Sequence, residues 1–332
     1  MVASRPYVET LVFLGGISAD VRSVVDTQAD VDAPVVWASD GDIGTGGRAA
    51  TAAAGAVRLG RRFVDLVGCV GDDFMGETIL SVLKDEGVSL RLVESLASTA
   101  TGFRQVVTDA KGDRRTVEVA NANAHVGTAQ VRKADSTIFG ADLLFATLEA
   151  PLPIVAKVVS TAAARNVPVM LNATACPVSA ERLRATKGLF GNVDVLLLNW
   201  TEALRLTDMT GTKGPAGVEV CKRLLQLGPK AVVVTMGEHG SMAAARGKHA
   251  LIEPFSVPVV DTASAGDAYA AAFAVGLTSR SRGNYRWKQL LDAGRYASAA
   301  AALCVGQSGG FTTLPQRDAV EQFMSAMNAE AE

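Results

Sequence analysis

The sequence has few of the residues that build metal clusters and disulfide frameworks. It contains three histidines and four cysteines among 332 residues, and none of them stands in a CxxC or other ligand spacing. This scarcity predicts reduced cysteines that bind no metal, as is usual in a cytoplasmic protein. The cysteines are Cys69, Cys176, Cys221 and Cys304.

The sequence also lacks an excess of either charge and a long apolar run. Its 32 basic residues are balanced by 34 acidic ones, which gives no electrostatic reason to expect a nucleic acid partner. No apolar stretch reaches the ~18 residues of a membrane helix, so we expect no membrane association. Repeats, low-complexity tracts and linkers are missing as well, and we expect a single domain over residues 1–332.

Hydrophobic residues, in contrast, make up 48% of the chain. From residue 141 onward, short β-branched runs alternate with helical patterns, which predicts an α/β fold with a mostly parallel sheet covered on both faces. Polar, alternating segments at about 17–45 (with a short strand at 35–37) and 102–120 predict a small β lid. Further strands are predicted at 8–14, 63–70, 143–147, 167–171, 195–198, 231–235 and 257–260, and helices at 47–60, 75–86, 153–165, 217–227, 265–277, 287–305 and 315–327.

Two glycine motifs resemble nucleotide-binding loops but lack an essential residue. Residues 71–78 have P-loop spacing, yet Glu77 occupies the lysine position and would repel phosphate. Residues 44–47 lack the third glycine of a dinucleotide fingerprint and do not directly follow a strong strand. We therefore reject a P-loop and disfavour a nicotinamide-dependent dehydrogenase.

Residues 261–267, which read DTASAGD, carry the strongest chemical signal. Small residues here turn the chain into a predicted helix, so several backbone N–H groups converge where the helix dipole is positive, which suits a phosphoryl group. Asp267 at the helix start is positioned to accept the proton of an attacking hydroxyl. The alternative reading is that Asp267 only caps the helix.

This segment resembles the C-terminal signature of the ribokinase or PfkB carbohydrate kinase family, Asp-Thr-x-Gly-Ala-Gly-Asp, with Ser264 where glycine is usual. Six other motifs resemble family landmarks in the same order over nearly the whole chain, and together they are far more specific than any one alone. They lie at residues 15–20, 46–60, 67–76, 148–149, 199–202 and 235–240.

The resemblance implies a ribokinase-like three-layer sandwich that transfers the γ-phosphoryl group of ATP, with Mg²⁺, to a hydroxyl of a sugar or sugar-like molecule. Asp267 would be the general base, residues Ala265 to Asp267 would form the anion hole, and Ser264 would belong to the same catalytic segment. Asn199 and Glu202 would organise Mg²⁺, in part through water. Thr235, Gly237, Gly240 and Ser298, with Asn199, would contact the nucleotide, and Asp261, Ala263, Gly309 and Thr313 would bind a monovalent cation such as K⁺.

The resemblance is weaker at the positions that would bind substrate. By position, substrate would be bound by Ser18, Asp20, Gly46, Gly47, Arg48, Thr51, Arg104 and Glu149. Thr51 replaces the sugar-binding asparagine of ribokinases and Ser18 replaces another, which argues against ribose itself. Arg104 either meets an anionic group of a sugar acid or is a solvated arginine on an edge strand.

Two further readings stay open at this stage. A nucleoside kinase of the same fold would stack its base on Trp37, and a non-catalytic regulator would keep the fold without turnover. Retention of Asn199, Glu202, Gly266 and Asp267 favours an enzyme. The short lid segments cannot bury both faces alone, so we also expect a homodimer formed through the lid.

Overall fold

The computed structural model describes residues 9–26, 35–109, 114–174, 178–186, 188–211, 216–278 and 285–329. Cys176, Val8 of the first predicted strand and the turn residues 110–112 lie outside the described residues. No helix in the described part of the chain is long and apolar enough to cross a bilayer.

Thirteen strands in the described residues form two sheets. The larger sheet has the order β13-β12-β11-β10-β9-β8-β1-β4-β5, in which only the pairs that include β12 are antiparallel. The strands are β1 (Thr10–Leu14), β2 (Ser18–Val25), β3 (Asp40–Gly46), β4 (Phe63–Gly71), β5 (Ser89–Leu96), β6 (Gly102–Asp109), β7 (Arg114–Val119), β8 (Leu143–Thr147), β9 (Val169–Asn172), β10 (Val195–Asn199), β11 (Ala231–Thr235), β12 (Ser241–Ala245) and β13 (Lys248–Ile252). The predicted parallel α/β architecture is confirmed.

Helices cover both faces of this sheet, because its strands are apolar on both sides. One hydrophobic core lies under α1, α2, α8, α9 and α10, and a second lies under α3 to α7. The helices are α1 (Arg48–Arg58), α2 (Phe74–Asp85), α3 (Thr128–Gly140), α4 (Leu152–Ala164), α5 (Ala180–Ala185), α6 (Trp200–Thr207), α7 (Ala216–Gln226), α8 (Ala265–Leu277), α9 (Trp287–Val305) and α10 (Arg317–Ala329).

Small residues let α1 and α8 approach each other closely. Residues 49–56 of α1 are all buried, and a Cβ added to Gly55 would lie 2.8 Å from the Cβ of Ala271 on α8. Tight helix packing of this kind requires alanine and glycine at the contact. The two helices therefore run side by side.

The second sheet is the lid, with the order β3-β2-β6-β7. Its register places Asp20 of β2 opposite Arg104 of β6, and Arg104 opposite Glu118 of β7. Because side chains alternate between the two faces of a sheet, these three project from the same face. The lid thus presents a row of alternating charge.

Several local predictions from the sequence are wrong. Residues 35–37 form no strand, and Trp37 is 88% exposed. Residues 257–260 form no strand either, because apolar content alone does not provide a neighbouring strand to pair with. Arg104 lies on β6, which is paired on both sides, so it is not on an edge strand. Strand β5, helix α3 and the β12–β13 hairpin were not predicted.

We expect Phe13→Ala to destabilise the fold by about 3–5 kcal/mol, because it removes a fully buried ring and leaves a cavity. The ring of Phe13 is 0% exposed and its centroid lies 5.0 Å from that of Phe145. Urea unfolding measures the change. Phe74→Ala is the matched control, since Phe74 is 82% exposed, and it should change stability by no more than about 0.5 kcal/mol. Equal effects of the two substitutions would contradict this assignment of the core.

Candidate active site

The N-terminus of α8 forms an open, positively polarised spot. Its N-cap is Ser264, which adopts a left-handed conformation with φ of 57° and makes no side-chain cap hydrogen bond. The Ala268 amide donates to the Ser264 carbonyl at 2.8 Å, which is the first hydrogen bond of the helix. The N–H groups of residues 265–267 therefore have no acceptor within the helix. A Cβ on Gly266 would meet no atom within 4 Å. An anion can therefore approach these N–H groups directly.

Asp267 is the third residue of α8, and its surroundings differ from those of a capping residue. The N-cap position belongs to Ser264, so Asp267 is not itself the N-cap residue. Burial raises the pKa of the half-buried Asp267 carboxyl to about 6, while Arg104 and Arg48 oppose the rise and Glu149 and Asp20 add to it. A carboxylate with that pKa is mostly ionised at neutral pH and is a competent proton acceptor.

Asp20 and Arg104 form a bidentate ion pair on the lid. The Arg104 Nε donates to Asp20 Oδ1 at 3.0 Å, and Nη2 donates to Oδ2. Both side chains are largely buried, and burial raises the pKa of Asp20 although Arg104 opposes that rise. Neither of the two readings of Arg104 from the sequence anticipated this pairing.

Arg48 connects the lid to the core at the first residue of α1. Its Nη1 donates to Glu149 Oε1 at 2.8 Å, and its Nη2 donates to Glu118 Oε1 at 2.7 Å. Burial opposes the charged form, but the Glu149 and Glu118 carboxylates raise the pKa of Arg48 above its ordinary value. Glu149 also accepts from the Arg48 amide at 3.1 Å and from Thr147 Oγ1 at 3.1 Å. The charge of the guanidinium is therefore balanced by two carboxylates.

Two glycines make room for this arrangement. A side chain at Gly46 would overlap the Asp20 carboxylate, and Gly47 adopts φ of 86° beside the Gly16 carbonyl. Ser18 is buried and pairs with Gly46 across the lid strands. These positions agree with the glycine motifs recognised in the sequence.

A cleft of about 80 Å³ lies between the lid and the core. Its lining includes four of the residues predicted to bind substrate, Ser18, Gly47, Arg104 and Glu149. The residues that the sequence did not indicate are Phe103, Glu118, Val119, Ala120 and Asn123.

Asn123 is the clearest of the residues that sequence reasoning missed. It is buried, its Oδ1 accepts from the Ile17 amide at 2.9 Å, and its Nδ2 donates to the Ile17 carbonyl at 3.0 Å. This amide therefore fixes the backbone at the start of β2, next to Ser18. The only local feature of the sequence that could have drawn attention to Asn123 is the repeated Asn-Ala pair at residues 121–124.

Thr51 lies one turn along α1 from Arg48 and is 2% exposed. Its amide donates to the Gly47 carbonyl at 2.8 Å. Thr51 is not one of the described residues that line the cleft.

The predicted nucleotide residues gather at the ends of β10 and β11. Asn199 and Thr235 are directly paired in register, and Asn199 Oδ1 caps α6 by accepting from the Glu202 amide at 3.0 Å. Gly237 begins a short 3-10 helix and Gly240 follows its end, with φ of 64° and 75°. Ser298, in contrast, is buried on α9. The Asn199 and Glu202 oxygens are hard donors that fit Mg²⁺, although no cluster of three or more potential ligands occurs within the described ranges.

Two of the four residues proposed for a monovalent cation, Ala263 and Thr313, contact Cys304. Its thiol donates to the Ala263 carbonyl at 3.5 Å and lies 3.0 Å from Thr313 Oγ1. The Asp261 Oδ1 accepts from the Ala263 amide at 2.9 Å. Gly309 begins the following loop, where φ is 137°.

Comparison with known proteins places this architecture in a described family. The model of the pfkB family carbohydrate kinases matches residues 9–317. Ribokinase from Haemophilus influenzae is 27% identical over 95% of this chain and 98% of its own length. Ribokinase from Bacillus subtilis is 30% identical over 94% and 98%. The structure of Arabidopsis thaliana ribokinase complexed with ribose and ATP has a TM-score of 0.81 and 26% identity, covering 96% of this chain and 99% of that one.

We expect Asp267→Asn to stabilise the protein at about pH 8 and to have little effect at about pH 4. The pKa of Asp267 rises from 3.8 to about 6 on folding, so its favourable contribution is complete below about pH 4 and is lost as the pH rises through about 6. The amide removes that penalty, which amounts to about 1–3 kcal/mol.

Thermal unfolding at the two pH values measures this difference. Asp318→Asn is the control, because Asp318 also lies in the first turn of a helix, α10, but is exposed. An Asp267→Asn protein that is less stable than wild type at about pH 8 would show that the carboxylate is stabilised by its surroundings.

Proposed function

This chain belongs to the pfkB family of carbohydrate kinases, and from that membership we propose that it transfers the γ-phosphoryl group of ATP to a hydroxyl of a sugar or a sugar-like molecule. The observation that carries the proposal is the position of Asp267. Its carboxylate, with a pKa raised to about 6, stands in the first turn of α8, where backbone N–H groups face open space.

In the proposed reaction, a substrate hydroxyl in the cleft gives its proton to the Asp267 carboxylate as its oxygen attacks the phosphoryl group. The N–H groups of Ala265, Gly266 and Asp267 stabilise the charge on the transferring group, aided by the helix dipole. Phosphoryl transfer depends mainly on such positioning and electrostatic stabilisation. The Asp267 carboxyl is close enough to Arg104, Arg48 and Glu149 for their charges to shift its pKa, which supports this arrangement.

We assign the nucleotide to the ends of β10 and β11. Thr235, Gly237 and Gly240 would contact ATP there, and Ser298 would lie farther along, towards the base. Asn199 and Glu202 would hold Mg²⁺, partly through water, and the ion would neutralise phosphate charge. The register that joins Asn199 to Thr235 supports a shared site.

The charges of the cleft favour an uncharged substrate. Arg104 is paired with Asp20, and Arg48 is paired with two carboxylates, so both positive charges are already compensated by the protein. Four carboxylates face two guanidinium groups, and a sugar acid or sugar phosphate would be repelled. The acidic groups are Asp20, Glu118, Glu149 and Asp267. Their oxygens are suited to accept hydrogen bonds from the hydroxyls of a neutral sugar.

The identity of that sugar depends on the residues that line the cleft and on those that do not. Glu118 supplies a carboxylate to the lining, and Thr51 is buried in α1 instead of lining the cleft. Trp37 is exposed outside the lining, so a nucleoside would have to be bound by other side chains. We therefore place neutral pentoses and hexoses ahead of nucleosides.

An ATP-consumption screen tests this proposal. It should cover pentoses, hexoses, sugar acids, sugar phosphates and nucleosides, and we expect turnover with at least one neutral sugar. Asp267→Asn should lower kcat with that sugar by about 10²–10⁴-fold, because the amide cannot take the proton, while nucleotide affinity stays nearly unchanged. For the wild type, kcat/KM should fall as the pH drops through about 6 and Asp267 becomes protonated.

Wild-type turnover by Asp267→Asn would remove Asp267 as the base. A preference for sugar acids or sugar phosphates would overturn the charge argument. If no compound in the screen consumes ATP although ATP binds, the chain would be a nucleotide-binding regulator.

We also propose that the chain acts as one cytoplasmic kinase domain over residues 1–332, with 17–45 and 102–120 as lid excursions, and that it forms a homodimer through the lid. Apolar side chains on the lid support this contact. Ile43 is 66% exposed and Val117 is 60% exposed, on the face opposite the charged row. Trp37 extends from the neighbouring segment.

For the dimer, we expect light scattering at micromolar concentration to give the mass of two chains for the wild type. Ile43→Asp should shift the mass towards one chain, because it places a charge in an apolar contact. Leu251→Asp is the control, since Leu251 is exposed on β13, at the far edge of the large sheet. A monomeric wild type would contradict the proposal.

A further inference from the structure

The segment 309–314 is held by two arginine side chains through its backbone carbonyls. Arg58, at the end of α1, donates through Nη1 to the carbonyls of Phe311 at 3.3 Å, Thr312 at 3.2 Å and Leu314 at 2.8 Å. Arg22 of the lid strand β2 donates through Nη2 to the Gly309 carbonyl at 3.1 Å. Four carbonyls within six residues therefore accept hydrogen bonds from fixed positive charges.

Arg22 is fitted closely to this segment. Its Nη2 also donates to the Asp42 carboxylate on β3, which orients the guanidinium. A Cβ on Gly310 would lie 2.7 Å from Arg22 Nη1, and Gly310 adopts φ of 60°. The loop backbone thus passes directly beside the guanidinium, and only glycine fits there without strain.

The Gly309 carbonyl has no capacity left for another donor or cation. Besides Arg22, it accepts from Thr312 Oγ1 at 3.0 Å and from the Thr312 amide at 3.3 Å. A carbonyl oxygen has two lone pairs, and three donors already share them. A cation bound to this oxygen would also lie within roughly 6 Å of the Arg22 guanidinium, where like charges repel strongly at protein dielectric.

The other three residues that the family resemblance suggests for a monovalent cation are engaged as well. Thr313 Oγ1 donates to the Gly310 carbonyl at 2.7 Å and contacts the Cys304 thiol, which also donates to the Ala263 carbonyl at 3.5 Å. Asp261 Oδ1 accepts from the Ala263 amide. Hard cations prefer oxygen donors that are free to converge, and a soft thiol stands among these. While Arg22 holds the Gly309 carbonyl, this donor set does not fit K⁺. Without the guanidinium, that carbonyl and its neighbours are free to reorient towards a cation.

We propose that Arg22 is a positioning residue that takes the place of a monovalent cation in this protein. Its guanidinium holds the loop at Gly309, and the contacts of Cys304 with Thr313 and Ala263 connect that loop to the residue before the N-cap of α8. Because Arg22 lies two residues after Asp20 on β2, the same contact fastens the lid to the phosphoryl end of the cleft. Phosphoryl transfer by this chain is therefore independent of K⁺.

The experiment compares K⁺ with tetramethylammonium at equal ionic strength in the wild type, Arg22→Met and Arg115→Gln. Methionine keeps much of the packing but removes the charge and the donors. Arg115 is the control, because it is exposed on β7 and its register places it on the other face of the lid sheet. Thermal unfolding midpoints need no substrate, so this readout does not depend on the proposed function. The phosphoryl transfer rate, which rests on that function, is the second readout.

We expect K⁺ to leave the midpoint and the rate of the wild type and of Arg115→Gln unchanged. Arg22→Met should become K⁺-dependent: its rate in tetramethylammonium should fall several-fold and recover in K⁺, and its midpoint should rise by about 2–4 °C on addition of K⁺. A wild type whose midpoint or rate rises with K⁺ would overturn the proposal, even if Arg22→Met does not fold. An Arg22→Met protein that is fully active and indifferent to K⁺ would overturn it too.

Discussion

The buried guanidinium of Arg48 is the constraint on which the arrangement of the cleft depends. A charge can be kept away from water only if it is paired and hydrogen-bonded, and Arg48 finds one carboxylate on the core and one on the lid. Glu149 follows β8, whereas Glu118 lies on β7. Satisfying Arg48 therefore requires the lid to lie over the start of α1, and this closes the cleft at one end.

The same principle orders the rest of the charged groups. Asp20 faces Arg104 in register on the lid, so each charge on the cleft wall has a partner of opposite sign. Asp267 is the exception, because the nearby guanidinium groups already serve other carboxylates. Its pKa is therefore set mainly by burial. The lid thus supplies electrostatic pairing, and the tight packing of α1 on α8 supplies the position of the base.

Sequence patterns were reliable where one physical signal dominated. Strands β8 and β11 and helices α8 and α9 have the predicted bounds, since each is a continuous apolar or helical pattern bordered by turn residues. Strand β5 was missed because it is only partly buried, and an edge strand does not need a strong apolar pattern. The segment 257–260 was apolar but had no strand to pair with, so it stayed irregular.

The sequence alone determined the α/β class, the family resemblance and the position of Asp267 in the first turn of a helix, because these depend on local periodicity and on residue types at fixed spacing. Only the tertiary structure decided which charges meet. Arg104 pairs with Asp20, 84 residues away, and Arg48 pairs with Glu118, 70 residues away. Strand register and helix packing bring such groups together, and neither is encoded in the spacing of the residues along the chain.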